Sequence, residues 1–254
     1  MQYISSERDG SLAVVTMARG KANALNEPMV DELNQAIADA ASDGSVRAVV
    51  LAGSGARFFS GGFDVAEVFA YDRHRMTEFF GRFIDLYEAT YHMSKPVVAA
   101  VTGHAYAGGA ILAVACDFRV MAEGEFGFAV NEINLGFMLP SGMIRMVIDA
   151  VGFRQGFEML LTGRSISPAT ALQIGLAVEI AKSESVVERA LDHARTLAEK
   201  PPSAFAGVKR SLRSISAGAS TGISDRETLA DFIDQWFSPE AEERKGALIK
   251  SLER

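Results

Sequence analysis

Only one cysteine, Cys116, occurs among the 254 residues, so neither a disulfide framework within the chain nor a CxxC zinc pattern is available. Basic side chains are also in short supply. Lys and Arg number 25 against 32 Asp and Glu, a net charge of −7, and no run of them builds the face that a nucleic acid or an anionic membrane requires. The C-terminal "ERKGALIKSLER" is a mixed-charge helix rather than such a patch. The opening "MQYISSERDG" has no apolar stretch of secretory type, so a cytoplasmic location is expected. His74, His92, His104 and His193 are scattered without HExxH spacing, and no metal site is expected. Neither a GxxxxGK[ST] loop nor a GxSxG elbow is present, which removes the common routes to phosphate binding and serine hydrolysis. "GSGARF" has Phe58 where a dinucleotide fingerprint needs its third glycine.

Uninterrupted apolar runs are equally scarce. The longest stretch free of Asp, Glu, Lys and Arg in this part of the chain is residues 96–116, "PVVAAVTGHAYAGGAILAVAC". Proline, histidine and three glycines break it, and "PVVAAVTG" is β-rich before the pattern changes at "GGAILAVA". A strand, a tight turn and a short buried helix fit it better than a membrane span.

What is present reads as an α/β protein. "YISSER" and "SLAVVTMA" form a hairpin around Asp9-Gly10. Asn26 caps a helix that carries Val30, Leu33, Ile37 and Ala40 on one face, with Pro28 in its first turn. "RAVVLAG" is a strand buried on both faces. Met76, Phe79, Phe80, Phe83, Ile84 and Tyr87 mark the core stripe of a long helix. Strand 97–102, helix 108–114 and the strand "DFRVMA" come after it, and from about Ser141 the pattern is helical, with Ser167-Pro168 opening one helix. The expected division is an α/β core over 1–195 and a helical region over 196–254.

Two strand-to-helix junctions, "SGGFD" at 60–64 and "AGGA" at 107–110, share one character. Glycine allows close backbone approach, and a helix start presents unpaired N–H groups. If the sheet brings the junctions together, one N–H from each converges on a single oxygen, the geometry that stabilises developing negative charge. Taken by spacing alone, both glycine pairs are better explained as tight turns.

"FFSGGFD", "KPVVAAVTGHAYAGG", "CDFRVMAE" and "NEINLGFMLP" occur in an order and at a spacing that resemble the crotonase (enoyl-CoA hydratase/isomerase) family, from about Leu12 to about residue 180. The resemblance implies a spiral of ββα turns with a C-terminal helical region that covers the active site and assembles trimers or pairs of trimers. It implies acyl-CoA thioesters as substrates, coenzyme A being part of the substrate and no separate cofactor being needed. Motif by motif, it places the oxyanion-binding amides at Phe63 and Gly108. CoA-binding candidates are Ala22, Asn23, Ala24, Asp64 and Ala66. Hydratases of the family carry two glutamates; here Ile111 stands at the first position, and "NEINLG" supplies Glu132 at the second. One carboxylate with an oxyanion hole suits proton transfer, and the glycine motif resembles that of Δ3,Δ2-enoyl-CoA isomerases. Glu132 is thus the expected acid/base, its pKa raised by apolar surroundings. Ile111, Phe137, Met138 and Leu139 are expected to wall the acyl pocket. A hydratase or other lyase using Asp64, Glu67 or Glu88, a thioester hydrolase, and a non-catalytic acyl-CoA binder are the alternatives. His104 is assigned a supporting role.

Overall fold

The computed structural model describes residues 1–218 and 225–252. Strands β1 (Ile4–Asp9) and β2 (Leu12–Met17) pair antiparallel, with Asp9 opposite Leu12, so the two loop residues are Gly10 and Ser11 rather than Asp9 and Gly10. Gly10 has φ +59°, the left-handed conformation that a tight hairpin turn demands. Helix α1 (Glu27–Ser42) begins where the Asn26 side chain accepts the Met29 N–H at 3.2 Å, and its expected apolar face is buried.

From there the chain repeats one unit three times: a strand in a large sheet, a short strand in a small sheet, then a helix. The first unit is β3 (Ala48–Gly53), β4 (Phe58–Ser60) and the helices α2 (Val65–Val68) and α3 (Arg73–His92). The second is β5 (Val97–Val101), β6 (His104–Tyr106) and α4 (Gly108–Ala115). The third is β7 (Phe118–Ala122), β8 (Phe128–Ala129), a 3₁₀ turn over Glu132–Leu135, and α5 (Ser141–Thr162), broken at Gly152 (φ 78°). Helix α6 (Pro168–Gln173), strand β9 (Glu179–Ala181) and helix α7 (Val186–Ala198) come next. Helices α8 (Pro202–Gly218), α9 (Asp225–Trp236) and α10 (Pro239–Leu252) complete the described chain.

The large sheet has the order β1-β2-β3-β5-β7-β9 and is parallel after its first pair; the small sheet, β4-β6-β8, is wholly parallel. Side chains alternate across β3. Val49 and Leu51 join the main core with α1, α3 and α4, whereas Ala48, Val50 and Ala52 meet Ala190, Leu191 and Ala194 of α7 on the other face. Each large apolar side chain in the α3 stripe contributes roughly 1.5–3 kcal/mol by burial, which makes that helix a fixed wall of the molecule.

The expected boundary at 195/196 falls inside the last turn of α7, and the chain leaves that helix at 199–201. The helices beyond it pack back on the core. Lys209 of α8 meets Asp117 at 2.8 Å, and Phe232 of α9 stacks on Phe80 of α3 with ring centroids 3.8 Å apart.

Candidate active site

All three strands of the small sheet run the same way, so the three junctions at their ends open at one edge. Ligand sites in α/β proteins form at such carboxyl ends. The junctions are residues 60–64 after β4, 107–108 after β6, and 130–132 after β8.

The first junction is zipped to the segment 22–25. Gly61 N–H donates to the Ala22 carbonyl, Leu25 N–H to Gly62, and Asp64 N–H to Leu25, each at 2.8 Å. Between these bonds the Phe63 N–H has no acceptor among the described residues. Gly62 has φ +89°, and a Cβ there would lie 2.8 Å from the Tyr106 carbonyl oxygen and 3.4 Å from the Gly108 nitrogen. That contact places the first junction against the second. At the second junction Ala107 takes φ 47°, ψ −124°, a rare conformation for a non-glycine residue, and Gly108 opens α4 with its N–H likewise without an acceptor among the described residues. A Cβ on Gly109 would come within 2.5 Å of the Ser60 carbonyl oxygen, so glycine is what lets α4 approach β4 so closely.

The third junction presents Glu132 as the first residue of its 3₁₀ turn. It is 8% exposed, and its Oε2 atom is buried without a hydrogen-bond partner among the described residues. Burial pushes the carboxyl up to about 7, and the backbone N–H groups of Glu132 and Asn131 offset only part of that. Phe63, Gly108 and Glu132 face one cavity of about 440 Å³, so the main-chain donors and the carboxyl share a space.

The remaining expected residues divide. Ala22, Ala24 and Asp64 line the cavity, as do Phe137 and Leu139. Asp64 is held on two sides: it pairs with Arg19 at 2.6 Å and caps α2 by accepting the Ala66 and Glu67 N–H groups. Asn23 does not reach the cavity. It is fully buried at φ 45°, and its Nδ2 donates to the carbonyls of Ser54, Phe58 and Phe59, so its side chain staples the loop instead of facing a ligand. Ala66 lies on the exposed outside of α2, away from the cavity lining. Ile111 is 0% exposed and belongs to the core, because α4 is enclosed by protein along its whole length. Met138 turns outward at 38% exposure. Burial alternates along this irregular segment, with Phe137 and Leu139 inward, while the Met138 N–H donates to Gln235 Oε1 at 2.6 Å.

Of the rival carboxylates, Glu67 accepts from Asn26 and from the Tyr71 hydroxyl, and Glu88 is on the exposed face of α3. His104 supports β6: its Nδ1 accepts the Gly127 N–H at 2.8 Å, burial holds its pKa below the ordinary value, and it does not line the cavity.

Much of the apolar wall has no signal in the local motifs. Phe80 and Phe83, expected in the core, also border the cavity, and Phe69, Tyr106, Leu135 and Met143 join them. Phe232, Trp236, Leu248 and Leu252 close it from α9 and α10. The wall is therefore aromatic and aliphatic, with Glu132 and Asp64 as its acidic members. Such a site can hold an apolar chain, grip one oxygen with two N–H groups and exchange a proton.

A family profile described as "Enoyl-CoA hydratase/isomerase" matches residues 7–249, and the chain belongs to that family. It is 29% identical over 251 residues to a short-chain-enoyl-CoA hydratase of Clostridium acetobutylicum, covering 98% of this chain and 94% of that protein. It is 34% identical over 215 residues to a mitochondrial enoyl-CoA hydratase of Pongo abelii, covering 83% and 73% respectively. Among solved structures, human mitochondrial delta3-delta2-enoyl-CoA isomerase superposes with a TM-score of 0.92 over 99% of this chain and 98% of that one, at 23% identity, a likeness of fold. Among the described residues, no helix is long and apolar enough to cross a membrane.

Proposed function

We propose that the protein is an enoyl-CoA isomerase, acting in the cytoplasm, that moves a double bond from C3 to C2 of an acyl-CoA thioester. The carrying observation is a buried carboxyl, its Oε2 without a hydrogen-bond partner among the described residues, on the same apolar cavity as Phe63 and Gly108, whose N–H groups have no acceptor among those residues. In its ionised form Glu132 takes the proton from C2 of a 3-enoyl thioester. The electron pair delocalises into a dienolate whose charge rests on the thioester oxygen, held by the Phe63 and Gly108 N–H groups. Glu132 then returns the proton at C4, giving the 2-enoyl product and restoring its carboxylate. Atoms and electrons balance with no co-reactant, and CoA enters only as part of the substrate.

The hydration chemistry named for the Clostridium and Pongo relatives fits these residues less well. Ile111 replaces the first glutamate of that arrangement, and Asp64 is tied to Arg19 and α2. Apolar walls also exclude water that would otherwise intercept the dienolate. Ala22, Ala24 and Asp64, which line the cavity, are assigned to the CoA portion in this reading. Self-association as a trimer or a pair of trimers belongs to the same proposal, because Val208, Leu212 and Ile215 form an exposed apolar row on α8.

The test is the fate of a 3-enoyl-CoA. Conversion to trans-2-enoyl-CoA is expected, with Glu132→Gln lowering kcat about 10²–10⁴-fold. Accumulation of 3-hydroxyacyl-CoA from trans-2-enoyl-CoA would establish the hydratase instead, free CoA would establish a hydrolase, and binding without turnover would leave a carrier.

A further inference from the structure

Lys245 is a lysine in an unusual place. It lies in α10, is only 2% exposed, and does not line the cavity. Its ammonium donates to the Trp236 carbonyl at 2.9 Å, at the C-terminal end of α9, and to Glu242 at 2.5 Å. It also lies 5.5, 5.0 and 5.3 Å from the ring centroids of Phe69, Trp236 and Phe237. A desolvated cation over aromatic faces is held more strongly than an exposed one, and a cation at a helix C-terminus satisfies carbonyls that the helix leaves open.

Two of the rings it meets, Phe69 and Trp236, are themselves cavity wall, and α10 adds Leu248 and Leu252, three and seven residues beyond Lys245. Phe69 comes from the end of α2, in the first ββα unit, whereas Trp236 and the two leucines come from the C-terminal helices. One ammonium thus pins three separate stretches of chain where they meet behind the apolar end of the site. Helix α3 borders the cavity through Phe80 and Phe83 and is fixed by its core stripe, and α9 is anchored by buried Phe232, Ile233 and Trp236; α10, by contrast, buries only Ala241 and Lys245.

We propose that Lys245 is a specificity-determining residue that locks α9 and α10 across the distal end of the acyl cavity and so sets the upper limit of acyl-chain length. The cavity takes short and medium neutral chains, and longer ones require this wall to swing outward. The inference rests on the reading of the cavity as an acyl-CoA site and is independent of which reaction Glu132 performs.

Trp236, the one tryptophan of the chain, supplies the readout, since its indole is part of the wall. Its fluorescence is followed while hexanoyl-CoA or palmitoyl-CoA, both unreactive toward isomerisation, is titrated into wild type, Lys245→Met, Lys245→Arg and Glu242→Ala. Wild type is expected to favour hexanoyl-CoA. Lys245→Met, which keeps the unbranched stem and removes the ammonium, is expected to lower that preference roughly tenfold, the factor that about 1.4 kcal/mol of lost closure gives. Lys245→Arg restores most of it, and Glu242→Ala, at an exposed position that leaves folding intact, produces a smaller shift in the same direction. Hydrogen exchange over 239–252 is expected to quicken in Lys245→Met while α3 keeps its protection. An unchanged preference, or equal weakening of both ligands, overturns the role of Lys245. Absence of binding by either ligand to wild type overturns the acyl-CoA reading itself.

Discussion

The Glu132 carboxyl exchanges water for aromatic and aliphatic neighbours, and its pKa rises to about 7 as a result. In the proposed reaction the carboxylate is the base in the first step, so kcat/KM for a 3-enoyl-CoA is expected to fall about tenfold per pH unit below 7 and to level off above it. A pH–rate profile checks this. The same burial acts on stability with a definite sign. The folded-state pKa lies above the unfolded value of 4.5, so the folded protein favours the protonated form. That favourable contribution is complete below pH 4.5 and is lost as pH rises through 7, at a cost of about 3 kcal/mol. Glu132→Gln is therefore expected to match wild type in urea unfolding at pH 4 and to exceed it at pH 8. A variant that gains stability while losing turnover separates a functional carboxyl from a structural one. Residues such as Glu132, Phe63 and Gly108 were legible in the sequence because each belongs to a short motif of fixed spacing. Asn23, Ala66, Ile111 and Met138 lie outside the cavity lining because motif position gives proximity, whereas facing is decided by local backbone. A φ of 45° turns Asn23 into its own loop, and Met138 is exposed where its N–H is tied to Gln235 of α9.

Among the elements, α4 carries the tightest constraint. Its N-terminus supplies a donor, Gly109 packs against the Ser60 carbonyl, and Arg119, 4% exposed, donates to the carbonyls of Cys116 at 2.8 Å and Ala113 at 3.3 Å near its other end. Gly109→Ala is expected to push α4 from β4 and to cost about 10²–10³ in kcat, the usual loss of one oxyanion donor, in steady-state assays. Ala107 stores strain at the same turn. Ala107→Gly is expected to raise unfolding free energy by about 1 kcal/mol in denaturant titrations. The long helices α1 and α3 and strands β3, β5 and β7 were readable from apolar period and caps. The small sheet was not: β4, β6 and β8 have three, three and two residues, too few to show any period. Strand β9, with three residues in a helical stretch, was hidden for the same reason.

At the scale of the molecule, the helices from α8 onward do two jobs. Helices α9 and α10 complete the cavity from a distance in sequence that no local motif spans, which is why Phe232 and Trp236 went unread. Helix α8 leaves Val208, Leu212 and Ile215 exposed at 61%, 62% and 74% in an i, i+4, i+7 row. A charge in that row would be desolvated in any assembly built on it. Leu212→Glu is expected to reduce the sedimenting species from a trimer or pair of trimers to a monomer without altering far-UV circular dichroism.

The placement of the three junctions at the tips of neighbouring short strands has a bearing on how such a chain diversifies. In the proposed reaction main chain grips the thioester, and backbone geometry is nearly blind to which side chain comes next along each tip. A lineage can thus redirect the outcome for one shared intermediate by editing single letters at those tips, while the scaffold that folds around them goes on unchanged.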